Sequence, residues 1–248
     1  MNFLLLEPNE LDPHGVAVVR GRRAQHVTSV LRAGVGNTLR IGVVGGSLGS
    51  GLVDAVDEAG VRLVCTLGAA PPLVDDVLFL AVPRPKVLLR MLAHAAALGF
   101  ARIVLFRSWR VEKSHLDSTA MRADVQRQQL LLGLEQAGRT SMPTVEFHAL
   151  WKPMVEDALP TMSLPARRFC GHPNAAAPTH ELSLARGEPF ALAIGPDGGF
   201  TDYELAGLRT NGFLAVSAGP SPLRTETALA VLTGQLDLLR RRGSVPHR

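Results

Sequence analysis

Three short runs constrain this chain most. Val77–Val82, Arg102–Phe106 and Phe190–Ile194 are of strand length, and after Arg102 every residue in them is apolar. A strand apolar at successive positions must be covered on both faces, which parallel sheets flanked by helices achieve. Helical stretches stand between them. Val87–Leu98 is amphipathic and ends at Gly99, Met121–Gln136 is closed by Gly138, and Thr201–Asn211 opens on Thr201 with Glu204 three residues on, a capping box. Thr225–Arg241 closes the chain with a basic end that suits the helix dipole. Val145–Phe147, Arg168–Cys170 and Leu214–Ser217 are shorter strand candidates, and Met154–Leu159 is a short helix candidate. Strands alternating with helices predict an α/β sheet with helices on both faces.

Residues 1–70 read differently. Val16–Val19, Thr38–Ile41, Gly51–Val56 and Val61–Val64 are short runs rich in β-branched residues, set apart by glycine clusters, with one helix expected over Arg22–Arg32. Gly68-Ala69-Ala70-Pro71-Pro72 then predicts a linker, because consecutive prolines block both helix and ladder. The expected organisation is a small β-rich domain over 1–70 and an α/β domain over 75–248.

Composition narrows the class. The chain has 248 residues, 46% apolar and 19% charged, enough to bury a core. Cys65 and Cys170 lie far apart and cannot form a disulfide framework, so a reduced compartment, the cytoplasm, is expected. The start, Met1–Glu7, lacks a basic segment and does not read as a signal peptide. The longest apolar stretch, Val87–Phe100, is interrupted by Arg90 and His94 and is too short to span a bilayer. The histidines form no metal-ligand pattern, so neither membrane nor metal is expected.

The formal net charge is only +4. Its distribution says more. Residues 1–72 hold six arginines against six acids, whereas 84–139 hold ten basic residues against four acids. A polyanion could be gripped there, the alternative being solvated helix faces.

Chemistry concentrates in the loops. Ile194-Gly195-Pro196-Asp197-Gly198-Gly199-Phe200 leaves an apolar strand and enters a capped helix. Ser217-Ala218-Gly219-Pro220-Ser221-Pro222-Leu223-Arg224-Thr225-Glu226-Thr227 repeats the arrangement one strand later, and Cys170-Gly171-His172-Pro173 is a third such turn. Loops at the carboxyl ends of strands are where open α/β sheets bind ligands. The glycines follow no dinucleotide fingerprint and lack the phosphate-loop lysine. Trp109 and Tyr203 are each isolated in sequence and read as partly buried core, the alternative being a stacking surface for bases.

Together these residues resemble the RsmE-type methyltransferases of the SPOUT superfamily, which modify N3 of a uridine in 16S ribosomal RNA with S-adenosylmethionine. The two C-terminal loops carry most of the likeness. Glu135-Gln136-Ala137-Gly138-Arg139 with Pro143 resembles the family's central element, and His26, Val30-Leu31-Arg32 and Gly36 its PUA-like RNA-binding domain. The resemblance implies a SPOUT domain with a C-terminal trefoil knot, a feature almost absent from proteins at large, and a homodimer.

It also implies roles. Gly171, Ile194, Gly195, Pro196, Gly198, Gly199, Ser217, Ala218, Gly219, Leu223 and Thr225 would hold the cofactor. Arg224 would orient the base or stabilise charge on its carbonyl oxygens, with Glu226 as the nearby carboxylate. Arg22, Arg23, Arg32, Arg84, Arg110 and Arg139 would grip the RNA. The sequence departs from the family pattern at Ser221-Pro222, where Arg and an aliphatic residue are usual. It departs also at His94 and Ala97 in place of Lys and Glu, and at Asn2 beside Phe3. These departures leave two alternatives open: a non-catalytic RNA-binding relative, or a methyltransferase with another RNA target.

Overall fold

A computed structural model describes residues 3–175 and 177–243; Asn2 lies outside them. The described strands are β1 (Phe3–Leu6), β2 (Val16–Val19), β3 (Thr38–Val43), β4 (Leu48–Asp57), β5 (Gly60–Leu67), β6 (Val77–Ala81), β7 (Arg102–Phe106), β8 (Thr144–His148), β9 (Arg167–Gly171), β10 (Ala177–Pro178), β11 (Phe190–Ile194) and β12 (Leu214–Ser217). The helices are α1 (Gly21–Gln25), α2 (Pro85–Leu98), α3 (Lys113–Leu116), α4 (Ala123–Ala137), α5 (Trp151–Pro153), α6 (Asp202–Thr210) and α7 (Thr225–Arg242). Residues 1–73 with 130–142 form one compact unit, and 74–129 with 143–248 form the other.

The first unit is a five-stranded sheet in the order β1-β3-β4-β5-β2. β1 pairs parallel with β3, and the remaining pairs are antiparallel. Alternation along β4 and β5 turns Val53, Val61 and Leu63 inward, where they meet Leu4, Leu6, Val19, Leu39 and Ile41. Arg23 anchors this unit by pairing with Glu10 and donating to the Leu5 carbonyl at 2.9 Å. Burial pushes the Glu10 carboxyl up, but the Arg23 contacts outweigh it and hold the group below its ordinary value.

One strand is new here and one expectation fails. β1 was not foreseen, because its partner lies over thirty residues away and Phe3–Leu6 has no alternation. The helix expected over Arg22–Arg32 breaks after Gln25 into a wide turn, in which the Leu31 N–H reaches the His26 carbonyl. Val27, Thr28 and Val30 are poor helix formers, and the Thr28 hydroxyl bonds back to the Ala24 carbonyl at 3.2 Å, which bends helices.

The second unit is a seven-stranded, wholly parallel sheet in the order β10-β12-β9-β11-β6-β7-β8. β6 and β11 are buried at every position. β7 is buried from Ile103 onward, as an apolar run requires. From β6 the chain steps one way to β7 and β8, then returns to lay β9, β11 and β12 on the other side. That reversal marks the crevice at the strand carboxyl ends as the ligand position.

The helix expected over Met154–Leu159 is also irregular. It runs as a short α-helical turn, a wide turn and a tight turn over 151–161, with Pro153 and Pro160 removing donors. The basic stretch 84–139 is shared between the two units, because 130–142 belongs with the first.

Candidate functional site

The site is built at the carboxyl ends of β9, β11 and β12. β11 ends at Ile194, and the backbone turns through Gly195–Phe200 into α6, whose start is fixed by the predicted capping box. Glu204 Oε2 accepts the Thr201 N–H at 2.9 Å, while the Thr201 hydroxyl accepts the Glu204 N–H at 3.3 Å. A cap of this kind contributes about 1 kcal/mol. Gly199 stands at φ +71°, which L side chains rarely adopt, and its N–H closes the turn onto the Pro196 carbonyl at 2.7 Å.

The three loops enclose a cavity of about 390 Å³. Ten of the eleven residues expected to hold a cofactor line it: Gly171, Ile194, Gly195, Pro196, Gly198, Gly199, Ala218, Gly219, Leu223 and Thr225. Ser217 instead lines a neighbouring cavity of about 700 Å³ that shares Ala218 and Gly219. His172, Asn174, Ala228 and Leu232 also line the first cavity. The sequence carried no cue for Ala228 and Leu232, since nothing local brings α7 over these loops.

Side chains tie the loops together. The Thr225 hydroxyl donates to Asp197 Oδ1 at 3.0 Å, joining the start of α7 to the β11 loop. Arg110 donates to the Gly198 carbonyl and, at 3.3 Å, to that of Gly199. Arg84 Nε lies 3.8 Å from Asp197 Oδ2, an exposed pair. Two arginines expected at RNA therefore brace or face the cavity loop. Of the others, Arg23 is engaged with Glu10, whereas Arg22 lines a small cavity of the first unit beside His26 and Glu135. Burial pushes the Glu135 carboxyl up, against the pull of Arg22, Arg23 and His26. Arg32 sits at φ +52° just beyond the broken helix, and the Arg139 N–H bonds the Leu134 carbonyl at the end of α4.

Arg224 and Glu226 are not in the cavity lining. Arg224 is exposed at the N-cap of α7. Glu226 lies in the first turn of α7, paired with Arg90 of α2 at 2.8 Å. The Arg90 hydrogen bonds hold its carboxyl below the ordinary range, which makes Glu226 a stable anion and a weak proton acceptor. Cys170 is buried beneath the site, and burial pushes its thiol well up, so it is no nucleophile.

One reading is corrected. Trp109 and Tyr203 are not core; they are 86% and 61% exposed and line a separate groove with Trp151. Among the described residues no helix is long and apolar enough to cross a membrane, and no cluster of His, Cys, Asp and Glu could hold a metal ion.

The cavity is of small-molecule size, and its lining combines glycines and prolines with apolar side chains such as Ile194, Leu223 and Leu232. A Cβ added at Gly219 would meet nothing within 4 Å, so any side chain there would stand in open cavity. A Cβ at Gly171 would lie 2.7 Å from Leu232 Cδ1, so the loop approaches α7 closely only because it has none.

Comparison with known proteins places the chain. The RNA methyltransferase domain family matches residues 71–237. Ribosomal RNA small subunit methyltransferase E of Treponema pallidum is 30% identical, aligning 92% of this chain with 87% of its own length. The protein of the same name from Mycobacterium bovis is 27% identical over 92% and 88%. Among solved structures, ribosomal RNA small subunit methyltransferase E from Neisseria gonorrhoeae, bound to S-adenosylmethionine, superposes with TM-score 0.72 at 20% identity, covering 94% of this chain and 96% of its own. A Legionella pneumophila protein in complex with the same molecule gives TM-score 0.71 at 22% identity, covering 98% of both. These structural likenesses establish a common fold.

Proposed function

The chain belongs to the RNA methyltransferase family, and from that premise we propose that it methylates N3 of a uridine in 16S ribosomal RNA with S-adenosylmethionine. One observation carries the reading: the β9, β11 and β12 loops, separate in sequence, converge on a single cavity rich in Gly and Pro. S-adenosylmethionine, when bound, supplies an electrophilic methyl group.

The residues at 171, 194–199, 218–219, 223 and 225 would hold it. Backbone groups offered by such glycine-rich loops would suit a ligand that must sit in one bent pose beside its acceptor, because fixed dipoles need no reorganisation. Of the charged side chains on the wall, Arg110 is engaged with the Gly198 and Gly199 carbonyls, and Asp197 offers a carboxylate beside the place of a cationic donor.

Arg224 is assigned to the uracil carbonyls, where a guanidinium stabilises the negative charge that develops as the N3 proton leaves. Glu226 is assigned a positioning role: it holds Arg90 beside the start of α7. The PUA-like identity of the first unit, its RNA-gripping arginines, the C-terminal knot, the homodimer and a cytoplasmic location belong to the same proposal. The insertion of β11 between β6 and β9, with β12 beyond β9, supports the knotted reading.

Mass spectrometry of 16S ribosomal RNA nucleosides from a deletion strain tests the activity. Loss of 3-methyluridine, restored by the wild-type gene and not by an Arg224→Ala variant, is expected. Unchanged 3-methyluridine with no other enzyme able to make it would overturn the assignment. Ser221 and Pro222 line the cavity, which favours one second reading, a methyltransferase with another RNA target. The same spectra would then show a different modified nucleoside disappear.

A further inference from the structure

The groove that holds Trp109 is built unlike the cofactor cavity. It encloses about 570 Å³ between the segment after β7, the segment after β8 and the first turn of α6. Trp109, Tyr203 and Leu150 line it while remaining 86%, 61% and 62% exposed. Three large apolar groups converging on one open groove mark a binding surface rather than scattered surface residues.

The backbone that carries the aromatics is anchored. Glu204 is buried and accepts the Trp109 backbone N–H through Oε1 at 2.9 Å, while its other oxygen caps α6 at Thr201. One carboxylate thus fastens the Trp109 segment to the helix turn that carries Tyr203. The charged residues among the described lining are Arg107 and Lys152, both basic. Lys152 stands 3.8 Å from Glu156, an exposed pair that a phosphate can displace. The next residue after Trp109, Arg110, lines the cofactor cavity and binds its glycine carbonyls. Groove and cavity therefore adjoin through consecutive residues.

We propose that this groove seats an unpaired RNA nucleotide flanking the target base, stacked on Trp109 and Tyr203 with its phosphate at Arg107 and Lys152. The inference rests on the RNA-methylation reading and adds a recognition surface to it. Exposed aromatic faces beside cations, with no acid in the lining, are the chemistry of single-stranded nucleic acid sites. RNA recognition works on splayed bases, which a base drawn into the cavity would leave on either side.

The test uses the full chain and a short fluorescein-labelled oligouridylate, with the anisotropy of the label as the readout. Anisotropy should rise as the probe binds the wild-type protein. Trp109→Ala should weaken probe affinity by about tenfold or more, and raise KM for small-subunit RNA with kcat and S-adenosylmethionine affinity unchanged. Trp109→Phe should recover most of the affinity by keeping a ring. Because the side chain is exposed, the variants should fold, and matching circular dichroism spectra check this. A Trp109→Ala/Tyr203→Ala double variant with wild-type affinity and KM would overturn the groove alone, since methylation would persist. So would a double variant whose oligomeric state changed while RNA affinity did not, which would assign the groove to a protein contact. Wild-type protein that neither binds nor methylates RNA would overturn the functional reading together with the groove.

Discussion

At the amino ends of β6 and β11, buried side chains hold the second unit together; at the carboxyl ends of β9, β11 and β12, glycine-rich loops surround a cavity. In the first region Asp76 accepts the Phe190 N–H at 3.0 Å and pairs with Arg240 at 2.8 Å. Arg240 also bonds Asp237 at 2.8 Å and lies 5.1 Å over the Phe190 ring. Burial pushes the Asp76 carboxyl up, while the Phe190 N–H and Arg240 pull it back. In the second region the contacts that matter are one hydroxyl-to-carboxylate bond, two arginine-to-carbonyl bonds and the close approach of glycines. Helix α7 runs between them, its carboxyl end in the clamp and its amino end at the cavity. One end of the sheet is spent on stability, leaving the other end open to a ligand.

Four experiments would break or sharpen this division. The largest effect is expected from Asp76→Ala, which leaves Arg240 short of a buried partner and the Phe190 N–H unmet. Unfolding free energy should fall by about 3 kcal/mol, lowering Tm by roughly 6–12 °C. The folded fraction should bind S-adenosylmethionine with wild-type affinity, and weakened binding there would mean the two ends are coupled.

Gly199→Val should do the opposite. The φ of +71° resists a β-branched residue, so the loop must move, at a strain of about 1–2 kcal/mol. Calorimetry should report binding weaker by about tenfold, with a smaller loss of Tm than Asp76→Ala. A wild-type dissociation constant would show that this turn does not shape the site.

Thr225→Val removes one hydroxyl with little change of shape. The lost bond to Asp197 is worth about 1 kcal/mol, so binding should weaken by about fivefold. A matching drop in stability with unchanged affinity would move Thr225 to the structural side.

The smallest effect concerns pH. The Arg90 hydrogen bonds depress the Glu226 carboxyl, so the pair is intact above the ordinary carboxylate range and is lost only as pH falls below it. The kcat profile should therefore show no limb from Glu226 between about pH 5.5 and 8. A limb in that window that vanishes in Glu226→Gln would make Glu226 the proton acceptor.

Much of the α/β unit was legible because its signals are local. β11 and β12 match the expected runs to the residue, and the Thr201–Glu204 box starts α6 where the sequence places it. The same locality explains the misses. β1 needs β3 to exist as a strand, and 130–142 joins the first unit through contacts far along the chain. Trp109 and Tyr203 gave no sequence cue to exposure, because burial depends on what packs opposite.

The sequence by itself determined where the strands and capped helices form, since periodicity, propensity and turn chemistry act over a few residues. It also placed the glycine-rich loops at strand ends. Only the tertiary structure decided that three of those loops meet at one cavity and that Glu226 faces Arg90. It decided too that two isolated aromatics share a groove beside that cavity. Such pairings are fixed by strand order and helix packing, and nothing in local sequence encodes the distance between residues that topology brings together.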